Sequence, residues 1–350
     1  MGARPSQDIL IAGLARLEYR GYDSAGIAVI TDDGALEMRK RAGKLKVLRD
    51  DLAAHPLTAG NTGIGHTRWA THGGPTDENA HPHLGDDGKL ALIHNGIIEN
   101  FAELRDELAG QGYTFKSETD SEVAALLLGR EYRELGDMLA AFRAVAGRLE
   151  GAFTLIAVHE DLPGVVLGAR RNSPLVIGLG EGENFLGSDV AAFIEHTHLA
   201  MAIGQDQIVQ MTADAVVVTD FDGNPVDTTS FEVMWDASAS DKGGWSSFMA
   251  KEIAEQPEAV ANTVRGRVRD GAVVIPELDG LDDLLLGISR IVIVACGTAS
   301  YAGMGGKYAI ETWSRVPVEL DLAHEFRYRA PVIGPDTLVI SISQSGETMD

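Results

Sequence analysis

The amino-acid sequence predicts two domains of different fold class: an α+β domain with layered antiparallel sheets, then an α/β domain with a doubly wound parallel sheet. In the first part of the chain, strand and helix patterns occur in separate runs, which is typical of α+β folds. A polar stretch rich in Gly and Ser follows near residue 240 and indicates a linker. Beyond it strands alternate with helices, which favours a parallel sheet. We therefore predict domains at residues 1–235 and 248–350, joined by a linker at 236–247.

The first domain is predicted to open with an amphipathic helix and an antiparallel hairpin. Ser6 is the expected N-cap of the helix. The apolar face of the helix consists of Leu10, Leu14 and Leu17. A strand at residues 25–30 and its return strand at 35–41 are separated by Asp33-Gly34, a dipeptide typical of hairpin turns.

Periodic patterns predict the remaining elements in chain order. Strands are predicted at residues 65–70 and 90–94, helices at 100–109, 121–135 and 138–149, and further strands at 152–159, 164–168, 175–177 and 208–219. In the second domain, a strand at 291–295, a helix at 301–313 and strands at 316–320 and 337–341 follow in the order of a parallel sheet. The last strand lacks its crossover helix, so we expect the natural protein to continue beyond Asp350.

Composition and charge exclude several classes of protein. The 350 residues contain 29 Lys and Arg against 52 Asp and Glu, a formal net charge of −23. Such a charge repels nucleic acid and anionic membranes, so neither is an expected partner. One cysteine cannot close an intramolecular disulfide, and no apolar run approaches the roughly 18 residues that indicate a transmembrane helix. The sequence therefore predicts a cytoplasmic protein.

Histidines are concentrated in one segment of the first domain. Five of the ten lie between His66 and His94. Because imidazoles cluster in zinc and copper sites, a metal site is one interpretation. No cysteine and no H-E-x-x-H pattern accompanies them, which favours hydrogen-bonded loop histidines. We therefore predict no bound metal.

Three features near these histidines could form a binding site for an amino acid. Arg68, beside Trp69 at a strand end, could grip a carboxylate, although a surface ion pair would also explain it. Asn95-Gly96 could direct a side-chain amide and a backbone N–H at an oxyanion, although an ordinary turn is the commoner explanation. Asp120, at a predicted helix start, could bind an ammonium group or simply cap the helix.

Hydroxyl-rich turns follow two strands of the second domain. Their polar residues are Thr298, Ser300, Ser343, Gln344, Ser345 and Thr348. Both turns would meet at the carboxyl edge of one sheet, where helix N-termini and convergent donors bind phosphate. A plain helix cap is the alternative for either turn alone. Cys296 ends the first of these strands and is interpreted as a small hydrophobic residue, because no base is identifiable nearby.

Taken together, these stretches resemble one family, the glutamine:fructose-6-phosphate aminotransferases (isomerising). The matching segments are residues 16–26, 66–73, 94–100, 117–120, 251–257, 295–298, 324–329 and 343–348. The resemblance implies a four-layer glutaminase domain of the Ntn-hydrolase type followed by a sugar-phosphate isomerase (SIS) domain. It implies that ammonia from glutamine reaches fructose 6-phosphate, which yields glucosamine 6-phosphate and glutamate without a metal or organic cofactor. It also implies a homodimer for the full-length protein, because SIS domains usually pair.

The resemblance implies roles for the candidate residues of the first domain. Arg68 would hold the carboxylate of glutamine and Asp120 its α-ammonium group. Asn95 and Gly96 would form the oxyanion hole. The same pocket would be lined by Trp69, Thr71 and His72.

For the second domain, the resemblance implies a site for the sugar phosphate. It would be held by Thr298, Ser343, Gln344, Ser345 and Thr348. Ser300 is a further candidate, because Ala299 stands where many members of the family have serine.

Two departures from the family pattern affect the expected activity. The family begins Met-Cys-Gly-Ile-Val-Gly, and this cysteine is the nucleophile, with its own α-amino group as base. This chain begins Met1-Gly2-Ala3 and has no cysteine before Cys296, so we expect the true start of the gene to lie upstream. The chain also ends before the second SIS half, which supplies the Glu, His and Lys of the family's isomerase chemistry. We therefore expect the 350-residue chain itself neither to hydrolyse glutamine nor to make glucosamine 6-phosphate.

Three other hypotheses are compatible with part of the sequence. The first alternative is a non-catalytic, sugar-phosphate-sensing SIS protein with a relic amidotransferase domain. A phosphoribosylamine-forming amidotransferase is disfavoured, because such enzymes lack the SIS loop seen at residues 343–348. A deaminating or deglycase SIS enzyme would share the sugar site and differ only in its product.

Overall fold

A computed structural model of the chain describes residues 1–70, 72–234, 245, 247–269 and 271–343. Its residues divide into two compact units, Met1–Asp241 and Lys242–Asp350. Four predicted site residues lie outside the described residues: Thr71, Gln344, Ser345 and Thr348. Most of the predicted linker also lies outside them. The predicted domain boundaries stay a prediction.

The first unit combines helices with antiparallel strands. Its helices are α1 (Ser6–Leu17), α2 (Leu45–Ala54), α3 (Phe101–Gly110), α4 (Asp120–Leu135) and α5 (Met138–Arg148). Its strands are β1 (Ser24–Ile30), β2 (Leu36–Ala42), β3 (Thr62–Arg68), β4 (His83–Leu84), β5 (Leu90–Ile98), β6 (Gly151–His159), β7 (Val166–Arg171), β8 (Val176–Leu179), β9 (Asn184–Gly187), β10 (Leu199–Ala202), β11 (Gln207–Met211), β12 (Val216–Asp220) and β13 (Ser230–Glu232).

These elements stack in four layers, with sheets inside and helices outside. The first sheet has the strand order β12-β11-β7-β6-β5-β4, and α3, α4 and α5 cover one of its faces. Its other face packs against two smaller sheets, with the orders β2-β1-β3 and β13-β10-β8-β9. The helices α1 and α2 cover the outer face of the sheet that contains β1.

Strand β5 shows why the sequence forms two cores. Leu90 and Leu92 are fully buried against the helices, whereas Ala91 and Ile93 are buried against the second layer of strands. Because successive side chains of a strand point to opposite faces, one continuous apolar strand contributes to both cores.

Helix α4 is the most deeply buried helix of this unit. The Thr119 hydroxyl caps its first turn by accepting from the backbone N–H of Glu122, and Gly136 ends it in the left-handed region at φ 66°. Residues 120–130 are all buried, because α3 and α5 contact α4 and β5 lies beneath it.

Two element predictions are wrong in detail. Ser6 is not the N-cap of α1: Pro5 holds that position, and Ser6 Oγ donates to the Gly60 carbonyl at 2.9 Å. The strand predicted at residues 208–219 is a hairpin of β11 and β12. It is closed by a turn in which Thr212 N donates to Ala215 O at 2.8 Å.

Helix α2 is missing from the predicted elements. Its buried residues, Leu45, Leu48 and Leu52, have helical spacing and pack beneath β1. The pattern was therefore present in the sequence, but it covers only ten residues between two other elements.

The second unit contains a parallel sheet, as predicted. Its helices are α6 (Phe248–Val264), α7 (Asp282–Leu286), α8 (Gly297–Ser314) and α9 (Ala323–Tyr328), and its strands are β14 (Val268–Arg269), β15 (Ala272–Val273), β16 (Arg290–Ala295), β17 (Val318–Leu322) and β18 (Thr337–Ile342). The strands β17, β16 and β18 are neighbours in that order and run parallel. In the part of the chain that the structure describes, no helix is both long enough and apolar enough to span a bilayer.

Helix α4 offers a matched test of the layered core. Leu127 is fully buried between the helices and the sheet, whereas Leu135 on the same helix is 51% exposed. We expect Leu127→Ala to lower the free energy of unfolding of the first unit by about 2–5 kcal/mol, because the cavity cannot fully collapse. Leu135→Ala should change it by about 0.5 kcal/mol or less. Urea titration measures the free energy of unfolding of both variants, and hydrogen exchange of β5 amides reports it at the core. Equal losses of unfolding free energy in the two variants would contradict this packing.

Candidate functional site

The candidate site lies where the interface between the two layers of strands changes from apolar to polar. Alternate residues of β3 are buried, and along that face Ile64 belongs to the apolar core, whereas His66 and Arg68 follow it. The facing strand β5 supplies Asn95 and Gly96. A row that begins in the core therefore ends in groups that can hydrogen bond or carry charge.

Asn95 and Gly96 lie inside a strand. They pair with Thr154 and Phe153 of β6, so the alternative interpretation as an ordinary turn is wrong. The φ of Gly96 is 125°, and a Cβ atom there would overlap the carbonyl oxygen of Ala152. Only glycine fits this backbone, and it leaves the backbone N–H unobstructed by a side chain.

Asp120 is the first residue of α4 and not its cap, because Thr119 is the N-cap. Its side chain is buried, with Oδ2 accepting from the backbone N–H of Ile98 at 2.9 Å and Oδ1 from Ser121 Oγ at 3.2 Å. The N-terminal end of a helix favours negative charge. Asp120 thus attaches α4 to β5 two residues beyond Gly96.

Arg68 is buried, with 4% of its surface exposed, so the alternative of a surface ion pair is wrong. Its guanidinium donates to backbone carbonyls of the following loop: Nη1 to Gly74 at 3.1 Å, and Nη2 to Gly73 at 3.2 Å and to His72. Burial lowers the pKa of Arg68, while the carboxylates of Asp23, Asp120 and Glu118 oppose that shift. The positive charge of Arg68 and the negative charge of Asp120 therefore act on each other.

The pocket residues predicted beside Arg68 take different places. Trp69 is 57% exposed and contacts Tyr22 edge to face, with ring centroids 5.5 Å apart. His72 contacts Phe101 in the same way at 4.8 Å. Thr71 lies outside the described residues.

Four histidines of this region, His66, His81, His83 and His94, are buried. His66 stacks on His81 with centroids 4.2 Å apart, and His81 contacts His83 at 4.9 Å. Burial lowers the pKa of His66 to about 4 and also lowers the pKa values of His81, His83 and His94. Among the residues that the structure describes, no group of three potential ligands is arranged to hold a metal ion.

Sequence reasoning missed three residues that organise the site. Asp23 Oδ2 accepts from Ala70 N at 2.6 Å, and Asp23 N donates to the Arg68 carbonyl at 3.0 Å. Asn79 ties the loop after Arg68 to Glu118, since its Nδ2 donates to Glu118 Oε2 at 3.1 Å. His66 Nε2 lies 2.8 Å from Asn95 Oδ1. Asp23 and His66 stood in segments noted for their composition, but only folding reveals their partners.

In the second unit, the two hydroxyl-rich turns begin at the same sheet edge. Ala295 at the end of β16 pairs with Ile342 at the end of β18. Thr298 is exposed in the first turn of α8, which begins four residues earlier than predicted. Ser300 is buried, and its Oγ donates to Gly297 O at 2.6 Å. Ser343 follows β18 directly, while the rest of that turn is outside the described residues.

The interpretation of Cys296 needs one correction. The sequence shows no base near it, but folding brings His324 Nδ1 to 3.4 Å from Cys296 Sγ. The two residues follow adjacent parallel strands, β16 and β17, which explains a contact across 28 positions of sequence.

Comparison with protein families decides what kind of chain this is. A model described as a glutamine amidotransferase domain matches residues 25–224, more than half of the chain. This chain belongs to the glutamine amidotransferase family. A second model, described as a SIS domain, matches residues 284–350, beyond the amidotransferase domain.

The amidotransferase chain is also similar to curated proteins named glutamine--fructose-6-phosphate aminotransferase (isomerizing). It is 70% identical to the one from Leifsonia xyli, 60% to the one from Streptomyces coelicolor and 56% to the one from Corynebacterium efficiens. These matches cover 100%, 100% and 98% of the chain, but 57%, 57% and 55% of the relatives. The chain thus spans little more than half the length of these relatives. They confirm the resemblance found in the motifs.

Two solved structures share the fold of the amidotransferase chain. The glutamine phosphoribosylpyrophosphate amidotransferase of B. subtilis has a TM-score of 0.55, with 91% of this chain and 64% of that chain covered. A structure described as the allosteric regulatory enzyme of purine biosynthesis has a TM-score of 0.56, with coverages of 97% and 88%. Both are 20% identical to this chain. The predicted fold class, a layered glutaminase domain followed by a SIS domain, is confirmed by these folds and by the SIS match.

The buried histidines make the stability of the amidotransferase domain sensitive to acid. Their pKa values are lower in the folded than in the unfolded chain, so the unfolded chain binds more protons below the ordinary histidine pKa of about 6.5. The free energy of unfolding should be highest above about pH 6.5 and should fall between about pH 6.5 and about pH 4. The decrease should be up to about 1.4 kcal/mol per pH unit for each such histidine. Denaturant titrations between pH 7 and pH 5 measure this slope.

A pair of variants separates these histidines from exposed ones. His83→Gln should reduce the number of protons taken up on unfolding by about one, and the slope of stability against pH accordingly, because burial lowers the pKa of His83. His55→Gln is the control, since the His55 side chain is 70% exposed. A slope that is the same in both variants would contradict the assigned charge states.

Gly96 offers a test of the strand geometry at the site. Gly96→Ala should destabilise the amidotransferase domain by more than about 3 kcal/mol, because strain at positive φ adds to overlap with a strand carbonyl. Gly112→Ala is the matched control: φ is 91° there, but no atom lies within 4 Å of a Cβ. We expect Gly112→Ala to cost only about 1–2 kcal/mol. Similar losses in thermal and urea unfolding would show that close packing is not what requires Gly96.

Proposed function

We propose that this chain belongs to an enzyme that transfers the amide nitrogen of glutamine to fructose 6-phosphate with isomerisation. The products are glucosamine 6-phosphate and glutamate, as in amino-sugar biosynthesis. Relatives named for this reaction match 98–100% of the chain at 56–70% identity, and amidotransferase and SIS models match it in that order. The SIS match favours this reaction over formation of phosphoribosylamine. We also propose a cytoplasmic location, and a homodimer for the full-length protein. Light scattering of the purified full-length protein tests the homodimer.

Glutamine binds at the polar end of the interface between the strand layers. Arg68 takes the α-carboxylate and Asp120 the α-ammonium group, while Trp69, Thr71 and His72 line the pocket. One observation carries this assignment: two buried side chains of opposite charge lie on β3 and at the start of α4, and Asp120 is bonded to the strand that carries Asn95 and Gly96. Glutamine is a zwitterion, so the two charges match its α-substituents. The loop carbonyls that now accept from Arg68 must yield to the carboxylate when glutamine binds.

Asn95 and Gly96 form the oxyanion hole of this site. In the family, the thiolate of the N-terminal cysteine attacks the side-chain carbonyl of glutamine. The carbonyl oxygen becomes negative, and N–H groups aimed at it lower the barrier. The Asn95 amide and the Gly96 backbone N–H are adjacent donors on one rigid strand. Departure of ammonia leaves a thioester, and water then releases glutamate.

The sugar phosphate binds at the carboxyl edge of the parallel sheet. Thr298 lies in the first turn of α8 and Ser343 directly follows β18, and these two segments leave neighbouring strands at the same level. The N-terminus of α8 adds a favourable dipole. The remaining proposed ligands are Ser300, Gln344, Ser345 and Thr348. Because Ser300 Oγ already donates within α8, it contributes only if that bond is exchanged.

Glutamine binding tests the first pocket without requiring catalysis. Arg68→Gln and Asp120→Asn should each weaken glutamine binding by about 10–100-fold in calorimetry, because each leaves one ligand charge unpaired. Arg170→Gln is the control for Arg68, since Arg170 is half-buried and, like Arg68, donates to a backbone carbonyl, that of Ile203. Asp137→Asn is the control for Asp120, because Asp137 caps the neighbouring helix α5. Equal effects of site and control variants would refute the assignment.

Glutamate release tests the proposed nucleophile requirement. Residues 1–295 contain no cysteine, and Cys296 belongs to the second unit, so we expect the 350-residue polypeptide to bind glutamine without hydrolysing it. A coupled assay measures the glutamate released from a saturating concentration of glutamine, once with the protein present and once without it. Release above background would overturn the expectation.

The second candidate function is sensing without catalysis. A protein that senses sugar phosphates, with an amidotransferase domain that only binds, would need no nucleophile. Product analysis distinguishes the two: glucosamine 6-phosphate formed by the complete natural protein supports the enzyme, and binding without product supports the sensor.

A further inference from the structure

His66 contacts the proposed oxyanion hole at Asn95 and has no role assigned to it so far. It lies on β3, two residues before Arg68, and faces β5 across the interface between the sheets. Its Nε2 atom is 2.8 Å from Asn95 Oδ1, and 7% of the residue is exposed. The contact joins the strand of the proposed carboxylate ligand to the strand of the proposed oxyanion hole.

The chemistry of this contact sets the direction of the hydrogen bond. A carboxamide oxygen can only accept, so Nε2 of His66 must carry the proton and donate it. The other ring nitrogen, Nδ1, is buried and has no hydrogen-bond partner within the described part of the chain. A neutral imidazole with its proton on Nε2 satisfies both observations.

The same bond decides which end of the Asn95 side chain is free. With Oδ1 held by His66, the Nδ2 end is available to donate to a ligand. A side chain turned by 180° would present its carbonyl oxygen to the developing oxyanion and would repel it. The two orientations have nearly the same shape, so a neighbouring donor is needed to select one of them.

His66 is itself held against rotation. Its ring stacks on His81 at an interplanar angle of 17°, and His81 Nδ1 accepts from the backbone N–H of His94 at 3.2 Å. Lys40 Nζ fixes the loop that carries His81. It donates to the carbonyls of Ala80 and Pro82 at 2.7 and 3.2 Å. These contacts restrain rotation of the His66 ring.

We propose that His66 is a positioning residue of the glutaminase site, whose Nε2–H holds Asn95 Oδ1 so that Asn95 Nδ2 faces the side-chain carbonyl of glutamine. This inference rests on the proposed function of the site. It assigns to one member of the histidine cluster a task that follows from its tautomer and not from its charge. His81 stacks on the His66 ring and restrains it.

The first experiment tests the tautomer and needs no ligand. In protein labelled with ¹⁵N at histidine and asparagine, the His66 ring should be neutral at pH 7 with its proton on Nε2. The Asn95 side-chain amide resonance should move in His66→Leu but far less in His66→Gln. His66→Gln is the conservative variant, because the side-chain NH₂ of the substituted residue can reach the position of Nε2. A proton on Nδ1 or a charged ring at pH 7 would overturn the proposal.

The second experiment compares L-glutamine with L-norvaline, which has the same α-groups but no side-chain carbonyl. His66→Leu should weaken glutamine binding about 5–20-fold and leave norvaline binding within about 2-fold, because only glutamine meets the Asn95 amide. His66→Gln should stay within about 3-fold of the wild type for both. His159→Leu, at a buried histidine of β6 with its own partner in Asp161 N, is the control for loss of packing.

The outcomes separate the proposal from the function on which it rests. Equal losses for both amino acids in His66→Leu, or unchanged glutamine binding, would overturn the positioning role. If the wild type binds neither amino acid, the proposed function fails, and the resonances of His66 and Asn95 still decide whether the bond holds. Should His66→Leu not fold, His66→Asn replaces it, because the shorter amide cannot reach Asn95.

Discussion

The candidate site depends on burying two opposite charges, those of Arg68 and Asp120, at the end of an apolar interface. Removing ions from water costs several kcal/mol for each ion unless hydrogen bonds replace the lost hydration. Loop carbonyls supply those bonds to Arg68, and the backbone N–H of Ile98 with the Ser121 hydroxyl supplies them to Asp120. These bonds require β3, the loop after it, β5 and the start of α4 to converge, so the architecture of the site follows from the need to satisfy two charges.

Neutral histidines fill the space around those charges. An imidazole can donate and accept without adding a net charge, so it connects polar groups where a further ion would be costly. His94 shows this directly: Nδ1 lies 2.9 Å from Ser121 Oγ, which in turn donates to Asp120. His83 meets the Thr119 cap of the same helix at 3.1 Å. The histidines thus join the loops, strand β5 and helix α4 into one polar network.

The site residues show what local sequence can and cannot predict. The strand end at Arg68, the helix beginning at Asp120 and the parallel order of β16 and β18 follow from periodicity and from residue types near element ends. The strand containing Asn95 and Gly96 is longer than predicted, because its polar second half pairs with β6 and is not visible as an apolar run. The motif resemblance supplied residue roles that periodicity alone left open.

The sequence by itself determined the division into an antiparallel and a parallel fold class, most helices and strands, and the segments that carry polar chemistry. It did so because periodicity and turn chemistry are local properties of the chain. Only the tertiary structure decided that His66 meets Asn95, that Asp120 bonds to Ile98, and that Cys296 lies beside His324. Each of these contacts joins residues 22–29 positions apart in the sequence, and the distance between such residues is set by how sheets and helices pack, which local patterns do not specify.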